Sequence, residues 1–204
     1  MDYIEQTRKE ISEEFNKLSL IDNSTEFFKS PYGNYTLEVS EYGPRKRGNF
    51  SRGIVRQADS DHIVCEIKRN YSGFWHAWVS HRNGEEYLLC GEDYQGYNVI
   101  TLPSGRNDFY LHEDALKGMG FCWVVVHASL DGTILAVEGC YWGDLYEIVF
   151  FDFSDPANLP FPEFERNYCK EVIGWIDENT FGYITQTDSG EAEKQTFSRP
   201  NMSA

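Results

Sequence analysis

The chain has 204 residues, of which 16% are aromatic and 17 are glycine, a composition that favours strands and tight turns over helices. Its 33 acidic and 18 basic residues give a formal net charge of −15 at pH 7, which argues against nucleic acid and anionic membranes as partners, because both are bound through positive charge. A basic protein partner fits this charge. The length predicts a single domain that is large enough to bury a hydrophobic core.

Cysteine usage and the N-terminus predict a reduced, cytoplasmic protein. The cysteines are odd in number and none has C-x-x-C spacing; they are Cys65, Cys90, Cys122, Cys140 and Cys169. Most lie in apolar, strand-like runs, where cysteine behaves as a small hydrophobic residue. The first residues are charged and lack an apolar signal segment, and no apolar run approaches the roughly 20 residues that span a bilayer.

The first 20 residues predict one amphipathic helix, from Asp2 to Leu20. Its apolar side chains Ile4, Ile11, Phe15 and Leu18 fall on one helical face. We expect that face to pack on a sheet or to cover a sheet edge. Docking onto a partner protein is the alternative.

A turn followed by a strand repeats along residues 30–184. The turn positions are Gly33, Gly84, Gly132 and Asn179, separated by 51, 48 and 47 residues. The strands that follow them are Tyr35–Val39, Tyr87–Cys90, Ile134–Val137 and Phe181–Ile184. A period of this length is typical of a propeller blade. The pattern therefore predicts about four antiparallel β-meanders.

Further strands complete each predicted meander. The second strands are Ile63–Ile67, Asn98–Leu102 and Glu147–Phe153, and the third strands are Trp75–Val79, Cys122–His127 and Glu171–Ile176. The basic segment Gly43–Arg52 is predicted to be a hairpin loop, or alternatively a contact for an acidic group. Residues 185–204 are polar and are predicted to be a frayed tail.

The repeat motifs carry a resemblance. The segments N-G-x-x-Y-L-L-C-G (83–91), D-G-x-x-L-A-V-E-G (131–139) and Y-E-I-V-F-F-D-F (146–153) resemble blades of WD-repeat and TolB-type propellers, although the Trp-Asp dipeptide is absent. The motifs C-G-E-D-Y-Q-G, G-F-C-W and E-G-C-Y-W are similar to those of a family of uncharacterised bacterial proteins. The resemblance implies an all-β fold and no particular activity.

Two acidic-aromatic segments are the best candidates for a functional site. The first is Glu92-Asp93-Tyr94-Gln95-Gly96 and the second is Glu138-Gly139-Cys140-Tyr141-Trp142-Gly143. Because the units repeat, both segments should lie at the same end of the sheets, where loops of β scaffolds usually bind ligands. They could be a binding surface, a set of catalytic carboxylates, or tight turns whose aromatic residues pack between blades.

Arg69 and its aromatic neighbours add to this prediction. Arg69 could bind a carboxylate or a ring, or it could form a buried pair with Glu92 between adjacent blades. The predicted binding residues are Arg69, Tyr71, His76, Glu92, Asp93, Tyr94, Glu138, Tyr141 and Trp142. If the protein were an enzyme, Glu92, Asp93 and Glu138 would be its catalytic residues.

Other chemistry is not indicated. The sequence has no nucleophile elbow, phosphate loop or dinucleotide fingerprint, so no cofactor is predicted. The histidines are dispersed and their spacing predicts no metal site; they are His62, His76, His81, His112 and His127.

The sequence therefore predicts an all-β protein of repeated propeller-type meanders that works as a non-catalytic protein-interaction module. An immunity or inhibitor protein acting on a basic toxin or nuclease is one concrete form of this hypothesis. The alternatives are a small hydrolase with paired carboxylates and a structural module that docks through its N-terminal helix. Partner identity, oligomeric state and closure of the ring stay open.

Overall fold

The computed structural model describes residues 3–43, 50–60, 62–102, 104–187 and 189–200. Within these residues it contains helix α1, one short 3-10 helix and strands β1–β16. The helices are α1 (Tyr3–Phe15) and the 3-10 helix (Glu113–Lys117). The strands are β1 (Ser19–Leu20), β2 (Glu26–Lys29), β3 (Tyr35–Gly43), β4 (Phe50–Gln57), β5 (Ile63–Arg69), β6 (Ala77–Ser80), β7 (Glu86–Cys90), β8 (Tyr97–Leu102), β9 (Arg106–Tyr110), β10 (Phe121–Ala128), β11 (Ile134–Tyr141), β12 (Glu147–Asp152), β13 (Glu163–Tyr168), β14 (Glu171–Trp175), β15 (Thr180–Gln186) and β16 (Ala192–Ser198).

The strands form four antiparallel sheets in chain order. Blade 1 has the order β1-β3-β4-β5, with β2 also paired to β3; blade 2 is β6-β7-β8-β9; blade 3 is β10-β11-β12-β13; and blade 4 is β14-β15-β16. The predicted fold class is confirmed: the chain consists of repeated antiparallel meanders of propeller-blade type, preceded by one helix. No helix among the described residues is long and apolar enough to cross a membrane.

Left-handed glycines begin the second strand of blades 2 and 3, as the repeat predicts. Gly84 and Gly132 have φ values of +88° and +70°, which glycine adopts without the steric cost of a Cβ atom. Gly132 has a second role, because a Cβ built there would lie 2.3 Å from the carbonyl oxygen of Ser80. The turn of blade 3 therefore rests directly against blade 2.

The hydrophobic core lies between successive blades. One cluster joins blades 1 and 2 around Leu37 and Ile100, another joins blades 2 and 3 around Leu89 and Trp123, and a third joins blades 3 and 4 around Phe150. In the part of the chain that the structure describes, no such cluster joins blade 4 to blade 1. The four blades thus pack consecutively, each on the next.

The predicted third strands are in fact the first strands of the following blades, namely β6, β10 and β14. The outer strands β9 and β13 were not predicted. Their sequences R-N-D-F-Y and E-F-E-R-N-Y are mostly polar and show only a weak alternation of apolar and polar residues. The predicted loop Gly43–Arg52 is wrong at its ends, which belong to β3 and β4; Arg52 pairs there with Glu66 at 2.8 Å. Residues 44–49 of that loop lie outside the described residues.

The predicted frayed tail is also wrong at Thr185 and Gln186, which end β15, and over 192–198, which form β16. Strand β16 pairs with β15 from Ala192 to Ser198. The reason is a single apolar anchor, since Phe197 is buried and stacks on Phe150 with ring centroids 3.9 Å apart. The polar composition of this segment reflects its position at the edge of blade 4.

The N-terminal helix is amphipathic as predicted but ends at Phe15 rather than at Leu20. Ser19 and Leu20 pair with the end of β3 instead. Ile11 and Phe15 are the buried residues of the helix, and the Phe15 ring lies 4.7 Å from that of Tyr42 in blade 1. At its other end, Tyr3 donates a hydrogen bond to the carbonyl of Leu111 beside blade 2. The helix therefore bridges blades 1 and 2.

An ion pair ties the C-terminal segment to blade 3. Asp131 accepts hydrogen bonds from both terminal nitrogens of Arg199, each at 2.8 Å, and one from the Ser129 hydroxyl at 2.8 Å. The Arg199 guanidinium holds the pKa of the Asp131 carboxyl well below its usual range. This contribution to stability is present above the pKa of an unfolded aspartate, about 3.9, and is lost as the pH falls below it.

We expect Asp131→Asn to lower the free energy of unfolding by about 2 kcal/mol at neutral pH, because it removes a charge-assisted, bidentate contact. The difference from the wild type should narrow progressively as the pH falls below about 4. Urea unfolding across this range measures it. The exposed Asp59→Asn serves as the matched control, and a difference that stays constant with pH would contradict the assignment.

Candidate interaction surface

The two acidic-aromatic segments meet at one end of the molecule. The first connects β7 to β8, and the second covers the end of β11 and the start of its connection to β12. The Tyr94 ring lies 5.6 Å from the Trp142 ring in an edge-on arrangement. We call this end, which also carries helix α1, the loop end.

Glu92 is buried at the loop end and binds four donors. It accepts hydrogen bonds from Arg8 Nε and Nη2 at 2.7 and 2.9 Å, from Asn98 at 2.8 Å and from Asn107 at 2.9 Å. Arg8 belongs to α1, whereas both asparagines belong to blade 2. The carboxylate therefore joins the helix to the blade.

Asp93 and Arg69 hold the β7–β8 loop from inside. The Asp93 carboxylate accepts hydrogen bonds from the Asn70 side chain and, at 2.8 Å, from the main-chain amide of Gln95. Arg69 is only 3% exposed and donates to the carbonyls of Gly73, Gly91 and Asp93 at 2.7–2.9 Å. Burial lowers the pKa of Arg69 to about 10, so the guanidinium stays charged at neutral pH.

The predicted Arg69–Glu92 pair is therefore wrong. Arg69 binds main-chain carbonyls, and Glu92 binds Arg8, a residue from a segment distant in sequence. Charge complementarity between neighbouring blades suggested the pair. The sequence offered no sign that the helix would supply the cation.

Glu138 lies on β11 and has its own partner. Its Oε1 is 2.6 Å from Nε2 of the half-buried His127 on β10. Glu92, Asp93 and Glu138 thus have separate sets of partners. No two of these three carboxylates share a hydrogen-bond partner, so the convergence that a hydrolase would need is not seen in their hydrogen bonds.

The remaining predicted residues differ in accessibility. Tyr71 is exposed, with Arg69 5.9 Å from its ring centroid. His76 packs on the Phe28 ring at 4.4 Å, and burial lowers its pKa. Tyr94 is half-buried, whereas Tyr141 and Trp142 are exposed on blade 3.

Large exposed side chains lie on the β11–β12 connection and at the adjoining ends of β11 and β13, at the loop end of blade 3. We call this group the aromatic surface; its members are Tyr141, Trp142, Leu145, Tyr146 and Tyr168. Trp142 and Leu145 are 68% and 69% exposed. Tyr146 adjoins the β13 end, because its carbonyl accepts the Cys169 amide at 3.0 Å. The sequence prediction missed Leu145, Tyr146 and Tyr168. The signal that could have indicated the first two was the segment W-G-D-L-Y (142–146), which places large side chains in a predicted turn rather than in a strand.

Arg166 borders Tyr141, and its positive charge is neutralised by carboxylates. Arg166 bonds to Glu147 at 2.6 Å, to Glu163 at 2.8 and 3.0 Å, and to the Tyr141 hydroxyl at 3.1 Å. Two carboxylates thus surround one guanidinium, and the exposed Asp144 adds a further negative charge within the connecting loop. The aromatic surface therefore lies in an acidic environment.

The described residues meet neither the requirements of a metal site nor those of a reactive thiol. No group of three or more His, Cys, Asp or Glu side chains among them could hold a metal ion. All five cysteines lie within the described ranges and are free thiols. Burial raises the pKa of Cys65 to about 12 and that of Cys122 and Cys169 to about 11, so these thiols are neutral and poor nucleophiles.

Comparison with known proteins shows similarity to a viral protein. An uncharacterised protein of Acanthamoeba polyphaga mimivirus is 35% identical over 166 residues, which cover 76% of this chain and 65% of the viral protein. No family model matches the chain. The similarity to uncharacterised bacterial proteins therefore stays a prediction.

Solved structures show similarity of fold. A functionally unknown protein from Desulfotomaculum acetoxidans DSM 771 has a TM-score of 0.51 at 12% identity, covering 89% of this chain and 56% of that one. The β-propeller domain of Cps50 (Swd1) from Myceliophteria thermophila has a TM-score of 0.49 at 10% identity, covering 93% of this chain and 56% of that one. The chain thus spans little more than half the length of either solved chain.

Proposed function

We propose that the protein is a non-catalytic interaction module that docks a basic segment of a partner protein on its aromatic surface. The observation that carries the proposal is the exposed cluster around Trp142, set beside an arginine that two carboxylates neutralise. Contiguous exposed apolar side chains mark interaction sites, and Trp and Tyr are enriched among the residues that dominate binding energy.

The geometry of the carboxylates favours binding over catalysis. Glu92 and Asp93 are each 7% exposed and bind internal donors. A carboxylate that works as a general acid or base must reach a substrate proton, which these two do not. The hydrolase alternative therefore has less support than the interaction module.

Charge supports the choice of a basic partner. The net charge of −15 attracts a positively charged protein at long range and raises its association rate. An immunity or inhibitor protein that covers a basic toxin or nuclease is one specific form of this proposal. Such an association should slow as ionic strength rises, because salt screens the steering.

Selection of random short peptides by display on the purified protein tests the proposal. We expect the selected peptides to combine Lys or Arg with an apolar residue, and their affinity to fall at least about tenfold in Trp142→Ala, since a central Trp contributes 2 kcal/mol or more. Leu145→Ser should weaken binding in the same way.

Tyr32→Ala is the matched control, because Tyr32 is equally exposed but lies in the β2–β3 turn of blade 1. Its affinity for the selected peptides should equal that of the wild type. Selection of acidic or uncharged peptides, or equal losses in Tyr32→Ala and Trp142→Ala, would overturn the proposal.

A further inference from the structure

A cavity of about 250 Å³ lies between blades 2 and 3, beside the aromatic surface. Aromatic side chains form much of its wall; they are Tyr97 and Tyr110 of blade 2 and Phe121, Trp123, Tyr141, Phe151 and Phe161 of blade 3 and its connection. Tyr141 belongs to both the cavity and the aromatic surface. A segment docked on that surface therefore passes close to the cavity.

The aromatic wall is rigid. Trp123 stacks between Tyr97 and Phe151, with ring centroids 4.3 and 5.2 Å away, and Tyr97 stacks in turn on Phe161 at 5.2 Å. Both Tyr97 and Trp123 are buried. A rigid wall loses little conformational freedom on binding, which favours affinity for a ligand of matching size.

The charged side chains of the cavity favour a cation. Its lining includes Asp114, Glu163 and Arg166, and the guanidinium of Arg166 is already bound by Glu163 and by Glu147 just outside. Asp114 pairs in turn with Lys117 at 3.3 Å. The three carboxylates of Asp114, Glu147 and Glu163 therefore outnumber the two cations of Lys117 and Arg166. Aromatic rings add to the preference, because their negative faces attract guanidinium groups. The Arg166 guanidinium already lies 5.0 and 5.4 Å from the ring centroids of Phe121 and Tyr141.

The volume limits the size of the ligand. Small-molecule and cofactor sites usually measure about 300–1,000 Å³, which is larger than this cavity. The space suits a single long side chain.

We infer that this cavity receives the side chain of an arginine or lysine from the docked segment and so anchors it. The inference rests on the proposed function and deepens it, because it specifies which side chain of a basic partner is bound. The aliphatic part of such a side chain packs on the rings, and its charged end lies near Glu163 and Asp114.

Titration with n-butylguanidinium chloride tests the inference without any partner. The probe should shift the indole N–H resonance of Trp123, assigned through Trp123→Phe, whereas neutral 1-pentanol of similar length should bind at least about fivefold more weakly. Equal binding of the two compounds would overturn the inference.

A pair of variants on one strand locates the site. Glu163→Gln should weaken butylguanidinium binding at least threefold, because it removes a carboxylate and leaves Arg166 less neutralised. Glu165→Gln should leave it unchanged, since Glu165 faces Asn167 and Tyr183 towards blade 4. Asp114→Asn provides a second loss variant at a half-buried position if Glu163→Gln is unstable. Unchanged binding in both loss variants would contradict the inference.

The two proposals fail in different ways. Basic peptides that lose affinity in Trp142→Ala, together with no butylguanidinium binding at Trp123, would leave the interaction surface standing and overturn the anchor. Butylguanidinium binding at Trp123 without any peptide sensitive to Trp142→Ala would support a cation site in the cavity and overturn the proposed function.

Discussion

Arg69→Leu is expected to lower the free energy of unfolding by about 3–5 kcal/mol, because it removes a buried guanidinium that makes three charge-assisted hydrogen bonds. Arg69 is the donor to three main-chain carbonyls that belong to the segment after β5 and to the β7–β8 loop. Leucine fills much of the same space but donates no hydrogen bond. The buried Gly91 carbonyl would then lose its side-chain donor, and the Asp93 carbonyl would keep only the Gly96 amide at 3.4 Å. A buried group left unpaired costs about 1–3 kcal/mol.

Urea unfolding of the purified variant measures this effect. Arg106→Leu is the matched control, because Arg106 pairs with Asp108 at the surface and its loss should cost less than about 1 kcal/mol. Arg69→Lys should fall between the two, since lysine keeps the charge but cannot reach three carbonyls in the planar geometry of a guanidinium. If the free energies of unfolding of Arg69→Leu and Arg106→Leu differ by less than about 1 kcal/mol, the hydrogen bonds of Arg69 are dispensable for stability.

Glu92→Ala is expected to lower the free energy of unfolding by about 3 kcal/mol, since a buried carboxylate with four donors is removed. Asn98 and Asn107 would lose a shared acceptor in the interior of blade 2. Helix α1 would lose its ionic contact with that blade. We therefore expect α1 to show faster amide exchange in the variant than in the wild type.

A double-mutant cycle with Arg8→Ala separates these contributions. Because the Arg8 side chain is 40% exposed, its removal alone should cost less than the removal of Glu92. The coupling between the two sites should be about 1–2 kcal/mol. Additive effects, or a fully stable Glu92→Ala with reduced peptide binding, would indicate that Glu92 acts in recognition and not in architecture.

The sequence predicted the fold to the extent that local signals determine it. Asp131-Gly132 and Asn83-Gly84 specify left-handed turns, and short continuous apolar runs specify the inner strands of blades 2 and 3, so the repeat could be recognised. The inner strand β4 of blade 1 was not predicted. The outer strand β13 and the edge strand β16 were not predictable in the same way, because one face of each is solvated and their residues are mostly polar. Phe197 shows how one apolar residue can determine such a strand.

The site was less predictable, because its partners come from distant segments. Glu92 and Asp93 were correctly placed at the loop end, but Arg8 and Asn107, which bind Glu92, lie 84 and 15 residues away in sequence. Charge alone does not indicate which cation will be nearest once the helix folds across the blades. The exposure of Leu145 and Tyr146 likewise depends on how the β11–β12 connection projects from the sheet.

The most direct test of the interaction surface is amide hydrogen exchange of the full chain with and without a selected basic peptide. We predict slower exchange in residues 141–146 and around Tyr168 on binding, with blade 4 and the β2–β3 turn unchanged. The same peptide should give no protection in Trp142→Ala. Protection confined to another blade, with residues 141–146 unaffected, would contradict the assignment of this surface as the docking site.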